Sequence, residues 1–113
     1  MASTAVADEV FHALSHAARR RVLERLARGP ATASELAAPF DMALPSFMQH
    51  LAVLEGSRLV RSRKRGRVRT YEIVPDRFEL AAQWLLERRQ AWECRLDRFD
   101  RHVLQLKSMR PRR

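Results

Sequence analysis

Between Gly56 and Tyr71 stand Arg58, Arg61, Arg63, Lys64, Arg65, Arg67 and Arg69, with no aspartate or glutamate among them. Guanidinium and ammonium groups crowded in this way suit phosphate oxygens, which they bind by charge-assisted hydrogen bonds while releasing counterions. Just upstream, Ser46, Gln49 and His50 offer uncharged hydrogen-bonding side chains. Glutamine can hold adenine through two hydrogen bonds in the major groove, and serine can serve several bases. His50 has an equally good structural reading, as a ring wedged between helix and backbone. Met48 can touch a thymine methyl, although packing is the simpler role. Arg19 and Arg20 read either as phosphate contacts or as a solvated helix face. The formal net charge of +9 over 113 residues points the same way, to a polyanionic partner.

Other chemistries find little support. With three glycines there is no phosphate-cradling loop, and no histidine is tied by motif to a nucleophilic serine or cysteine, so no catalytic residues are assigned. A thiolate metal site is excluded by the single cysteine, Cys94, and Asp100-Arg101-His102 lacks the further ligands that zinc needs. No metal, cofactor or small-molecule effector is therefore expected. Cys94 reads as a small buried hydrophobe in preference to a redox sensor. His12 and His16 straddle a helix boundary, so their spacing does not define a pair. The opening MASTAVADEVFHAL lacks a basic leader, and no apolar run approaches the roughly 20 residues of a membrane span. A cytoplasmic chain with no membrane partner is expected.

The elements that must position these residues follow from periodicity and caps. Val6, Val10 and Leu14 recur at helical spacing beside Phe11, which predicts a first helix. Ser15 is expected to cap a second over Ala17–Ala27, with Val22, Leu23 and Leu26 inward and Arg28-Gly29-Pro30 as its stop. Thr32-Ala33-Ser34-Glu35 is a capping box opening a short helix that ends before Pro39, with Phe40 and Met42 packed under the turn. The next helix runs from about Leu44 to Glu55. Leu44, Phe47, Leu51 and Leu54 form its buried stripe, and Pro45, Ser46, Gln49, Ala52 and Val53 point outward. Two basic, β-branched runs around Arg65-Gly66 predict a hairpin with Tyr71 and Ile73 inward.

From Asp76 a long helix continues, and Trp92, Leu96, Phe99, Val103 and Leu106 follow a heptad seam that reads as a dimer surface. The other reading folds this helix back onto its own domain. The basic tail, residues 109–113, is expected to fray. A helix, a tight turn, a second helix and a basic hairpin are together the outline of a winged helix-turn-helix. The expected fold is thus mainly α with a small antiparallel β-hairpin, dimerised through terminal helices. It is one domain over residues 1–113: helix-turn-helix 32–56, wing 59–74 and dimerisation helix 76–107.

From Ala13 to Ile73 the chain resembles the ArsR-type winged-helix repressors of bacteria. The resemblance is carried by the arginine run before VLERLARGP, SELAAPFDM leading into LP, HLAVLE followed by LV, and GR before Tyr71. It resembles most the branch without metal-site cysteines. What the resemblance implies is a homodimer that binds a short inverted repeat of double-stranded operator DNA and represses transcription, often of its own operon. Three departures stand out. His16-Ala17-Ala18 replaces the usual Asp-Pro-Thr, Met48-Gln49 replaces Ser-Lys, and Ser57-Arg58 replaces Ala-Gly. Gly56 is expected to take over the helix-ending role two residues early. The contacts this reading assigns are Ser46, Gln49 and His50 to bases, and Arg63, Lys64, Arg65 and Arg67 to backbone. The alternatives are a protein-interaction scaffold, a non-specific nucleic-acid binder, and a small enzyme or effector-binding protein, which would need a polar pocket that the sequence does not reveal.

Overall fold

The structure, a computed structural model, describes residues 4–108; the basic 109–113 tail lies outside them. The elements are α1 (Thr4–Leu14), α2 (Ala17–Leu26), β1 (Ala31–Thr32), α3 (Ala33–Ala37), α4 (Leu44–Gly56), β2 (Val60–Arg65), β3 (Val68–Ile73) and α5 (Asp76–Ser108). This is a winged helix-turn-helix with one addition. Ala31 and Thr32 pair with Tyr71 and Thr70, so the expected hairpin is the larger part of a three-stranded antiparallel sheet ordered β1-β3-β2. A two-residue strand has no periodicity to announce it.

The caps divide into one confirmed and two corrected. Thr32 Oγ1 accepts from the Glu35 amide at 3.2 Å, and Glu35 Oε1 accepts from the Thr32 amide at 3.4 Å, closing the capping box. α2 is capped by His16, whose Nδ1 accepts from the Ala18 amide at 3.1 Å. Ser15 is not the cap; its hydroxyl donates back to the His12 carbonyl. At the end of α4 the left-handed residue is Arg58, with φ of 61°, while Gly56 remains helical. The Leu59 amide reaches the Leu54 carbonyl at 3.1 Å, so the chain turns where a glycine would be easiest. Arg58 therefore holds a strained backbone that Gly56 does not relieve.

One core joins the elements. Val10, Val22, Leu26, Leu36, Phe47, Leu51, Leu54, Leu59 and Tyr71 are buried in it, with Phe40 and Met42 packed against its edge under the turn before α4. Leu44 departs from the expected stripe and is 60% exposed. As the first residue of α4 it lies ahead of the covered part of the stripe, which begins at Phe47.

α5 is 33 residues long and gives the molecule its 81 × 31 × 23 Å extents. Its first half packs on α1: Ala81 is buried, Phe11 meets Trp84 edge to face at 5.5 Å, and Arg77 pairs with Glu9 at 2.6 Å. Its second half leaves Trp92, Leu96, Phe99 and Leu106 exposed (Trp92 by 59%, Phe99 by 63%), with Val103 half-buried. Cys94 is exposed in this half, which overturns its reading as a buried hydrophobe.

Candidate nucleic-acid interface

α4 presents Ser46 and Gln49 to solvent on the face opposite Phe47, Leu51 and Leu54. Pro45 falls in the first turn, where its missing amide proton costs no helical hydrogen bond. Val53, assigned to the outward face, is half-buried, because it packs against the core. Met48 stands 36% exposed on the shoulder that faces the wing.

His50 belongs to a different constellation. Arg19, only 8% exposed, donates through Nε to the Ala13 carbonyl at 2.7 Å and through Nη2 to the His12 carbonyl at 3.1 Å. Its Nη1 lies 3.2 Å from His50 Nδ1, and the His16 and His50 rings stand 4.2 Å apart. Arg19 thus closes the C-terminal end of α1, where free carbonyls favour a cation, and ties that end to α4. Arg20 donates to the Leu14 carbonyl at 2.7 Å. Arg19 is a buried structural tie and no part of a solvated face, whereas Arg20 makes its carbonyl bond from an exposed position, as the solvated-face reading expects. His50 is pulled into the same knot: burial, then His16, then Arg19 hold its imidazole below the ordinary value of 6.5. Arg19 can only donate, so Nδ1 of His50 must be unprotonated to receive it.

The wing has two faces. The register pairs Ser62 with Tyr71 and Lys64 with Arg69, so Val60, Ser62, Lys64, Arg69, Tyr71 and Ile73 share the side toward the helices. Arg61, Arg63, Arg65, Thr70 and Glu72 share the other. Gly66, with φ of 58°, supplies the positive angle of the two-residue turn. A relay fixes the inner face to α4: Ser62 Oγ donates to Glu55 Oε1, and Arg69 Nη1 donates to Ser62 Oγ at 2.7 Å. Burial and the Glu55 carboxylate push the Tyr71 phenol above its usual range, with Arg69 opposing, so Tyr71 stays neutral there.

Lys64, Arg67 and Arg69 then line a cleft of about 360 Å³ with Thr32, Ser34 and Met48. No carboxylate lines it. Arg63, Lys64, Arg65 and Arg67 make no ion pair among the described residues, whereas Arg61 is neutralised by Glu72. The structure therefore brings Lys64 and Arg67 beside α4 and leaves Arg63 and Arg65 on the outer face. Arg69 is the cleft-lining residue that sequence reasoning passed over. Its signal was the alternation of β3, which puts it in phase with inward-facing Tyr71. A polar hollow of about 470 Å³ also lies between α2 and α3, beside Arg21, Arg25, Glu35 and Phe40. Two of its arginines are engaged: Arg25 lies 3.6 Å from Glu35, and Arg21 lies over the Phe40 ring.

A solved ArsR family transcriptional regulator is 51% identical to this chain, with a TM-score of 0.78, and the match covers 82% of this chain and 97% of that one. The chain belongs to the ArsR family of transcriptional regulators. This is a family of regulators, not of enzymes. Residues 14–63 also match a helix-turn-helix domain family. The HTH-type transcriptional regulator Rv2034 of Mycobacterium tuberculosis is 41% identical over 68 residues, which span 60% of this chain and 64% of that protein. This ArsR-family chain thus spans just under two thirds of that relative's length. The transcriptional repressor SdpR of Bacillus subtilis is 28% identical over 79 residues, 70% of this chain and 88% of that one. No helix among the described residues is long and apolar enough to cross a membrane. No group of three or more His, Cys, Asp or Glu among them is placed to hold a metal ion.

Proposed function

We propose that this chain is a sequence-specific DNA-binding regulator that acts as a homodimeric repressor of its own operon. The observation that carries this reading is the juxtaposition of an exposed Ser46–Gln49 face with a carboxylate-free cleft holding Lys64, Arg67 and Arg69. α4 enters the major groove, where Gln49 and Ser46 contact base edges. His50 is drawn into the Arg19 knot, so its part in recognition is to hold α4 in place. Lys64 and Arg67 bind the phosphates nearest that helix, and Arg63 and Arg65 extend along the backbone or into the minor groove. Trp92, Leu96, Phe99, Val103 and Leu106 form the dimer surface, and two half-sites about one helical turn apart make an inverted repeat. Repression follows from occlusion of polymerase, in line with the repressor among the relatives. The protein works in the cytoplasm on double-stranded DNA, with no membrane partner, cofactor, metal or small-molecule effector.

Fluorescence anisotropy against the protein's own upstream intergenic DNA and a scrambled control, over a salt series, tests this. Binding of the native fragment about a thousandfold tighter, with both affinities falling as salt rises, is the expected result. Equal affinities would make the protein a non-specific binder. No binding to either would leave the wing's charge without a role in DNA recognition and refute the proposal.

A further inference from the structure

α4 exposes two neighbouring rows of side chains, and only one of them is polar. Ser46 and Gln49 form the polar row. Leu44 and Met48, one helical turn apart, form an apolar row on the side toward the wing, and both are exposed. Among the described residues Met42 is the methionine that packs against the core, and Met48 is not part of that packing. Filling the interior, the simpler role for Met48, is thus not the one the fold gives it.

The surroundings of Met48 are those that a nucleotide needs. Ala33, Met48 and Val68 supply the apolar lining of the cleft that also holds Lys64, Arg67 and Arg69. Val68, at the start of β3, is exposed as well. Cations without a carboxylate suit a phosphate. Apolar carbon beside them suits the one apolar group that a base edge presents in the major groove, the 5-methyl of thymine. The thioether chain of methionine is long, unbranched and polarisable, so it can follow such a methyl as the duplex flexes.

On the DNA-binding reading above, on which this inference rests, we propose that Met48 is a specificity residue. It takes the 5-methyl group of a thymine at or next to the adenine held by Gln49. Met48-Gln49 stands where the ArsR pattern has Ser-Lys. Lysine suits the O6 and N7 acceptors of guanine, whereas glutamine suits adenine and methionine the thymine methyl. Exchange of both residues turns this part of α4 toward A·T pairs. Cytosine lacks the methyl, so the contact separates the two pyrimidines without a hydrogen bond.

Uracil substitution tests this in the full chain. The probe is the protein's own upstream intergenic DNA, made once with thymidine and once with deoxyuridine, so that only methyl groups are removed. One methyl taken out of water is worth about fourfold in affinity, and two half-sites multiply the effect. The parent protein should therefore bind the deoxyuridine fragment on the order of tenfold more weakly. Met48→Ala should bind the thymidine fragment more weakly than the parent does and lose little more on deoxyuridine. Equal affinity of the parent for both fragments, or the same loss in Met48→Ala as in the parent, would overturn the inference. Replacing thymines singly then locates the methyl. A sensitive site away from the base pair to which Gln49→Ala becomes indifferent would also overturn it.

Melting tests the competing role. Met48→Ala is expected to shift the melting temperature by less than about 3 °C, as truncations at the surface do. A fall of about 8 °C or more, the mark of a truncated core side chain, would return Met48 to packing. The scrambled thymidine control keeps failure of the DNA reading apart. A parent protein with no preference for the native thymidine fragment sinks both readings. One that prefers it and ignores the methyls keeps the regulator and loses the thymine contact.

Discussion

Replacing Arg19 by alanine separates two roles that the same arginine could play. In the structure its guanidinium holds the Ala13 and His12 carbonyls at 2.7 and 3.1 Å and reaches His50 at 3.2 Å. A hydrogen bond to a charged group contributes about 1.5–3 kcal/mol. The two carbonyl bonds alone would then sum to roughly 3–6 kcal/mol if they were independent. Water entering the vacated space satisfies part of this, so Arg19→Ala should cost about 3 kcal/mol. That is a large part of the roughly 5–15 kcal/mol that holds a domain folded. At about 4 °C per kcal/mol for a chain of this size, the melting temperature should fall by about 12 °C. Arg19→Lys keeps the charge but loses the planar fork, and should fall between the two. Circular-dichroism melts and urea titrations measure both variants. A loss below about 1 kcal/mol, together with weaker DNA binding and a shallower salt dependence, would refute the structural role and return Arg19 to the phosphates.

His50 has its imidazole held down by burial, His16 and Arg19, so the unfolded chain takes up the proton first as pH falls. Its stabilising contribution is complete above about pH 6.5 and is lost as pH drops through the lowered folded value. Melting temperatures across pH 8 to 5 should show this decline, and His50→Gln should flatten it; an equally steep decline in that variant would count against the knot. Arg58→Gly relieves a positive φ and should raise stability by about 1 kcal/mol, read as a shift of roughly 4 °C, whereas a lower melting point would place a needed contact on the side chain. Arg67→Ala should weaken specific and non-specific DNA binding alike and reduce the salt slope by about one, while Gln49→Ala should cost about 1–3 kcal/mol on the operator alone. Anisotropy on both DNAs checks the pair, and the opposite assignment of effects would reverse the roles of helix and wing.

Much of the architecture is legible from neighbouring residues. The capping box at Thr32–Glu35, the stripe of Phe47, Leu51 and Leu54, the turn at Gly66 and the length of α5 each depend on residues within a turn or two of one another. Such signals act through local hydrogen bonds and side-chain periodicity, and survive whatever the rest of the chain does. The basic run and the heptad seam are legible for the same reason. Residue type and spacing alone therefore determined that a helix-turn-helix precedes a charged hairpin and that a long helix carries an apolar stripe.

Tertiary structure decided what those side chains are free to do. Arg19 and His50 are 31 residues apart, and only packing of α2 against α4 turns a basic helix face and a candidate base reader into one buried tie. The Glu55–Ser62–Arg69 relay, the third strand at Ala31 and the positive φ at Arg58 likewise follow from how the sheet meets α4. The choice between Lys64 and Arg67 beside α4 and Arg63 and Arg65 behind it needs strand register and turn geometry together. A charge in sequence is only a potential contact. Burial spends some charges on the protein's own carbonyls, and the geometry of the sheet selects those that remain free beside α4.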